Sequence, residues 1–550
     1  MYIKDLHLPW ESSLIKDFYQ HFDTSSVSVH FAYNPWIGES FRHRYRFLQE
    51  KRDEPFPRKK LINVIRKQYG QQRLHPQIER NLQRFEDQRS CVVIGGQQAG
   101  LLTGPLYTIY KAITIIQLAQ REERRLGVPV IPVFWIAGED HDFEEVNHIW
   151  IRNFTGRMQK LTFDHPFSTT INRMPVSSLP LDQEKMQNWL EDVSDQLPDS
   201  PYKREWIQLC KDVTNSATTW GQHFLQMMQR LFAQWGLICI DSDHQELRQL
   251  EGSFFSKLVK QNRSLQRVIL TAQQECVQHQ FHVPVKVEKN HAHLFIKVDG
   301  ERYPLFHLQD KWLTRDGVHR WTTDELLELA AEKPEQLSNN VLTRPLMQEY
   351  LFPTLAFVGG PTEISYWALL RRAFVEMGLQ MPIVYPRAQI TLVDQTAVKR
   401  ASHFNLTIED LFFAFEEKKN QWLNQQVTVD VDQLFQQTKA EIDQLHQKLV
   451  HQLEEQLELK LREMGAKNRT KINEQIDYLH RYVRRAIAEK YQTELRRMNE
   501  LVVRVLPLKK PQERVYNLIQ IWNEHGLTWL SRLVHESQLL MQVPHQLVYI

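Results

Sequence analysis

Several things are scarce in this 550-residue sequence, and each scarcity removes a class of protein. Only four cysteines occur, Cys91, Cys210, Cys239 and Cys276, with no C-x-x-C pair. That excludes a disulfide frame and a cysteine-built zinc site. Cys91 and Cys239 lie in apolar runs, where a thiol is expected to act as a small buried hydrophobe. No charge of one sign dominates: Lys plus Arg total 68, Asp plus Glu 66, a net charge of +2. A dedicated nucleic-acid binder would carry a positive excess. No hydrophobic run is long. The least charged stretch, Leu101–Tyr110, is broken by Gly104 and Pro105 and ends at Lys111, so no membrane span is expected. The opening segment MYIKDLHLPWESSLIKDF is charged throughout and is not a secretory signal. A cytoplasmic location is the expectation. There is no G-x-S-x-G, no G-x-G-x-x-G, no P-loop, and no cysteine beside a motif histidine, which weakens hydrolase and thiol-enzyme readings.

What is present describes an ordinary globular chain, 42% hydrophobic and 24% charged, long enough for two or three domains. Four short apolar runs end in glycine or acidic residues. They are Cys91–Gly96, Val128–Ala137, Leu237–Ile240 and Leu355–Val358. Continuous apolar strands alternating with helices predict a doubly wound parallel α/β sheet, Rossmann-like, covered on both faces. Ligands of such sheets bind beyond the carboxyl ends of the strands. The four ends are therefore expected to converge on one pocket.

Residues 1–395 read as this core, interrupted by insertions at about 150–230, mostly helical, and about 255–340. Within the second, Val283–Val298 followed by Asp299-Gly300 predicts hairpin material. From 396 to 506 the character changes. Leu434, Ile442, Leu445, Leu449, Leu453, Leu457 and Leu461 form one stripe, and Ile472 to Met498 form a second. Two amphipathic helices joined by a turn at Gly465-Ala-Lys-Asn predict an antiparallel α-helical coiled coil, and with it a homodimer. The arginines at 481, 484, 485, 496 and 497 are interrupted by Glu489 and Glu494 and read as a solvated face. Residues 507–550 are expected to pack back on the core. Their opening segment PLKKPQERVYN offers Lys509, Lys510, Arg514 and Asn517 as a nucleotide or phosphate contact, against the plainer reading of a charged linker.

Chemistry is expected at the strand ends. The first βα turn, Gly95–Pro105, sets Gly96, Gln97, Gln98, Gly100, Thr103 and Gly104 where a strand enters a helix, a place suited to an anionic group. Lys111, further along that helix, reads as a surface charge. At the second end, His141, Glu144, Glu145 and His148 would share a helical face if a helix began near Glu139. The spacing is not H-E-x-x-H, and no metal is assigned. Asp140, His141 and Asp142 are instead expected to grip amines or hydroxyls. Asp241 and Asp243 repeat the theme at the third end, and Gly359, Gly360 and Glu363 complete it at the fourth. Such a crevice suits an amine- or hydroxyl-bearing substrate together with a phosphate-bearing cosubstrate.

The segments GGQQAGLLTGPLYTIYKAI, PVFWIAGEDHDFEEVNH, RPLMQEYLFPTLAFVGGPTEISYW and KPQERVYN resemble, in order and over nearly the whole chain, the bacillithiol biosynthesis cysteine-adding enzyme family. The resemblance implies a core like that of class I nucleotidyltransferases, a dimerising coiled coil, and a ligase joining L-cysteine to glucosaminyl-malate (GlcN-Mal) to give bacillithiol. Because amide formation from a free acid in water is uphill, activation of the cysteine carboxylate by ATP is inferred, with ATP or ADP as the expected ligand and Mg2+ accompanying the nucleotide. Where relatives of that core carry H-I-G-H, this turn carries Gln97 and Gln98, and no K-M-S-K-S-like loop is present. Activation through an acyl-adenylate or an acyl-phosphate is open on the sequence. His141, whose ordinary pKa lies near working pH, is the expected general base. The rival readings are a tRNA-synthetase-related RNA binder, which should show a zinc knuckle or positive skew, and a coiled-coil scaffold, which leaves the polar strand ends unexplained.

Overall fold

A computed structural model describes residues 1–50, 56–70, 74–165, 173–540 and 542–550. It forms two compact units, one of residues 1–392 with 510–550 and one of residues 393–509. The first is built on five parallel strands: β1 (Cys91–Gln97), β2 (Val130–Ile136), β3 (Ile238–Asp241), β4 (Thr354–Gly359) and β5 (Ile383–Pro386). Their order across the sheet is β5-β4-β1-β2-β3. The chain winds outward from β1 through β2 to β3, then returns to lay β4 on the other side of β1. The winding direction thus reverses between β1 and β4, which places a crevice at their carboxyl ends.

Burial explains the strand sequences. All seven residues of β2 and the first six of β1 are buried, as a sheet covered on both faces requires. One face is covered by helix α1 (Tyr107–Leu126), which is apolar on nearly all sides through its first three turns and ends at Gly127 in the left-handed conformation. Amino-terminal helices also pack on the sheet: Arg58–Gln68 against β3 and Pro76–Phe85 against β2, with buried stripes Leu61, Ile62, Ile65 and Ile78, Leu82, Phe85. β5 is a strand that the four-run reading did not include. Its apolar run is only four residues long.

The first insertion opens with an antiparallel pair, His148–Arg152 with Met158–Thr162, before its helices begin. It is therefore less helical than expected at its start, and its residues 166–172 lie outside the described ones. The second insertion holds a five-stranded antiparallel sheet. Its central hairpin pairs His291–Val298 with Glu301–Leu308. Asp299 (φ 51°) and Gly300 (φ 85°) form the turn, the left-handed geometry that suits right-twisted strands.

In the second unit, helix Val431–Leu457 packs antiparallel on helix Arg462–Lys490. Lys439 bonds Asp477 at 3.0 Å, and His480 bonds Asp432 at 2.8 Å. The reversal is at Glu458–Leu461, with Glu458 at φ 53°, not at Gly465-Ala-Lys-Asn. Gly465 lies inside the second helix, where an added methyl would meet Val450 Cγ2 at 2.9 Å. Close helix approach, not a turn, requires that glycine.

Candidate active site

The crevice between β1 and β4 opens into a cavity of about 700 Å³. Its floor is the first βα turn. Gln97 and Gln98 line it, and Gln98 Nε2 bridges Asp140 Oδ2 (2.6 Å) and Glu145 Oε2 (2.9 Å). Asp140 Oδ1 accepts the backbone N–H of His141 at 2.8 Å. Across the crevice, Glu363 Oε2 accepts Gly360 N at 2.8 Å and Lys111 Nζ at 2.5 Å. Lys111 also donates to Gly96 O (2.6 Å) and Gln97 Oε1 (2.9 Å). The expected surface charge is thus fully buried, tying both strand ends together. Burial pushes its ammonium down to about 8, against the opposing pull of Glu363.

Four guanidiniums face this carboxylate-bearing floor, those of Arg302, Arg344, Arg387 and Arg514. Arg302 enters from the second insertion, stacked 3.6 Å from the Phe295 ring centroid, and donates to Ser338 Oγ and Asn339 O. Arg344 donates to Tyr366 Oη at 2.5 Å. Arg387, directly after β5, is bound twice by Glu513 at 2.8–2.9 Å. Arg514 pairs with Glu11. The side-chain amide of buried Asn339 lines the cavity, and neither its Oδ1 nor its Nδ2 is hydrogen-bonded among the described residues. A buried amide in that state is suited to meeting a ligand.

His141 reaches the cavity, but its Nδ1 lies 3.3 Å from Arg302 Nη1. A guanidinium only donates, so Nδ1 must accept and the proton of the neutral ring sits on Nε2. Burial, then Arg302, holds its pKa below the ordinary histidine value. The ring is therefore a neutral Nε2–H donor, which leaves it no lone pair to act as the expected general base.

Other expectations are redistributed. The helix holding His141, Glu144, Glu145 and His148 is one turn, Phe143–Val146, and His148 begins a strand. The two histidines line different cavities, so that face does not form. Asp142 is an exposed helix cap that accepts Glu145 N and does not line the cavity. Asp241 and Asp243 are absent from the lining as well. Asp243 bonds Lys297 Nζ (2.6 Å), Ser178 Oγ (2.6 Å) and lies 3.9 Å from Arg248. Asp241 packs against Gly138, where a methyl would collide with it. Gly359 is also outside the lining, whereas Gly360 is in it. Gly96 is required by the sheet itself, since a side chain there would strike Trp135 of β2. Thr103 is buried at φ 77° and lines neither cavity.

The carboxy-terminal segment is a clamp. Asn517 Nδ2 donates to Leu101 O, Leu102 O and Gly104 O at 2.7–3.2 Å, holding three consecutive positive φ angles at Leu102, Thr103 and Gly104. Gln512 bonds both backbone groups of Leu392. Asn517 therefore has no donor left for a nucleotide, and Lys509 falls in the other compact unit. Together, Lys509, Lys510, Arg514 and Asn517 do not fit a nucleotide site.

The missed residues are Lys111, Arg302, Asn339, Arg344 and Arg387. Arg387 follows an apolar run just as Asp140 and Gly359 do. Arg302 carried no signal, because only the folded insertion brings it to the crevice.

Comparison with known proteins agrees with this architecture. Residues 1–388 match the family model "Bacillithiol biosynthesis BshC, N-terminal Rossmann-like domain", and residues 390–550 match "Bacillithiol biosynthesis BshC, C-terminal coiled-coil domain". Proteins named "Putative cysteine ligase BshC" are similar over most or all of their length. The one from Geobacillus sp. (strain WCH70) is 35% identical over all of both chains. Those from Bacillus cytotoxicus and Bacillus cereus (strain B4264) are 35% and 36% identical, covering 89% and 91% of this chain and 90% and 91% of theirs. With both of its domains matched and its crevice built at the switch point of a Rossmann-like sheet, the chain belongs to the bacillithiol biosynthesis BshC family and is an enzyme of the ligase class.

Proposed function

We propose that this ligase joins L-cysteine to glucosaminyl-malate, forming the amide bond of bacillithiol. The observation that supports this reading most is the pairing of carboxylates with guanidiniums across one cavity of about 700 Å³. An aminosugar bearing malate presents hydroxyls and an amine at one end and carboxylates at the other. The carboxylates suit the planar forks of Arg302 and Arg344, each of which keeps N–H groups beyond its protein bonds. The amine and hydroxyls suit Asp140 and Glu363.

Amide formation from a free acid is uphill in water, so the cysteine carboxylate must arrive activated. ATP is the proposed activator, with Mg2+ accompanying it. The sugar amine then attacks the acyl carbon, the C–N bond forms, the C–O bond to the phosphate leaving group breaks, and the amine loses a proton. Glu363 is the proposed acceptor. Its Oε2 is held by Gly360 and Lys111, which leaves Oε1 for the substrate. His141 is the proposed donor, through Nε2–H, to a substrate oxygen. Incubating the protein with L-cysteine, glucosaminyl-malate and ATP should yield bacillithiol by mass spectrometry, and Arg344→Met should raise KM for the aminosugar at least tenfold. No product from folded protein would end this reading.

We also propose that the coiled-coil unit pairs two copies. Leu445, Leu449, Tyr478, Leu479 and Tyr482 are each more than half exposed on the hairpin, and a second copy would cover such apolar side chains. A monomer in light scattering at micromolar concentration would refute it.

A further inference from the structure

Beside the main cavity lies a smaller one of about 220 Å³. We propose that this chamber binds the zwitterion of a small α-amino acid, which under the functional reading above is the cysteine substrate. Three observations support this. The first is size. About 220 Å³ is below the range of roughly 300–1,000 Å³ that drug-sized ligands and cofactors occupy, which favours an amino acid over a nucleotide. The second is charge. Lys510 and Arg514 offer cations for a carboxylate, while Glu145 offers an anion for an ammonium. A polyphosphate would be repelled by Glu145, whereas a zwitterion uses both signs. Val146 and Ile149 supply an apolar wall for a short side chain.

The third observation is an unsatisfied donor. Thr108 is fully buried in the first turn of α1 and lines the chamber, and its Oγ1 has no hydrogen-bond partner among the described residues. A buried hydroxyl left open is destabilising unless something meets it. Here it is aimed where the dipole of a 20-residue helix favours negative charge. A carboxylate satisfies the hydroxyl and the dipole together. Arg514 and Glu145 also line the main cavity, so a carboxylate held by Arg514 sits where the two spaces meet. That is where an amine from the larger cavity would have to reach it.

The test is calorimetry and steady-state kinetics on the full-length protein. L-cysteine should bind the wild type, while cysteamine and 3-mercaptopropionate, lacking carboxylate and ammonium in turn, should bind at least tenfold more weakly. Thr108→Val and Lys510→Met should each raise KM for cysteine by about three- to tenfold with KM for glucosaminyl-malate unchanged. Lys510 is exposed, so its variant tests the idea even if Thr108→Val fails to fold. Normal ligation with unaltered KM for cysteine in both variants would overturn the chamber assignment alone. Cysteine binding lost in the variants of a protein that makes no bacillithiol would uphold the chamber and overturn the functional reading. Preferential binding of ADP over cysteine, lost in Lys510→Met, would overturn the chamber assignment.

Discussion

The ends of β2 and β3 read almost alike, an apolar strand followed by Gly-Glu-Asp-His-Asp in one case and Asp-Ser-Asp in the other. The fold gives them opposite roles. The β2 end sits beside the switch point, so Asp140 faces the cavity with its oxygens held by Gln98 and backbone N–H groups. The β3 end is at the sheet edge, roofed by helix Gln245–Lys260 and the second insertion. There Asp243 is drawn into a buried ion network around Arg248, which also binds Glu251 and, from the β2 end, Glu139, while Asp241 packs against Gly138 and accepts the backbone N–H of Asp243. Acidity at a strand end therefore marks a binding site only where the topology leaves the end uncovered.

The largest effect should come from the covered end. Arg248 is fully buried among three carboxylates, and Glu251 is already pushed up to about 7 by burial despite Arg248. Removing one partner of such a network costs about 3–5 kcal/mol. Arg248→Met should therefore lower the urea midpoint of the core sharply. An unchanged midpoint would mean the network is not structural.

The open end should respond in activity instead. Asp140→Asn preserves size and keeps an oxygen acceptor. We expect more than tenfold loss of bacillithiol formation, above about 1.4 kcal/mol, with the melting temperature unmoved. Asp243→Asn should do the reverse, losing about 1–3 kcal/mol of stability while the folded enzyme turns over normally. If the two variants exchange phenotypes, the active site belongs at the other strand end.

This contrast shows what could be read from sequence. The strands were legible, because a sheet covered on both faces demands unbroken apolar runs. The crevice was legible too, because doubly wound topology fixes where it opens. Which polar residues face it was not. Lys111 looked like a surface lysine because helical spacing does not record that the preceding turn folds its ammonium under Gly96. Asn517 looked like a ligand contact because its partners are carbonyls some 400 residues earlier, invisible to local pattern. Arg302 required the tertiary placement of an insertion.

A pH experiment sharpens the comparison further. Burial pushes Asp241 up to about 7, with the backbone N–H of Asp243 opposing. Between its ordinary value near 3.8 and 7, the folded state holds a proton that the unfolded state has released. Stability from this group should fall as pH rises through that window, then level off. Asp241→Asn should flatten the slope by up to one proton. An unaltered slope would show that the carboxyl is solvated.

The smallest effect tests a residue on the open side that sequence alone would group with Asp140. Asp142 is two positions away, yet its side chain turns back to cap the single helical turn, Oδ1 accepting Glu145 N at 3.4 Å. The bond is long and exposed, and the helix it caps is only four residues. Replacing a capping Asp by Ala ordinarily loses about 0.5–2 kcal/mol, and this geometry argues for the low end. Asp142→Ala should therefore shift the melting temperature by no more than a degree or two. Because Asp142 faces solvent and not the crevice, kcat and both KM values should stay within about twofold of wild type. A tenfold loss of activity from Asp142→Ala, matching Asp140→Asn, would show that the turn reorganises on binding so that Asp142 swings into the cavity.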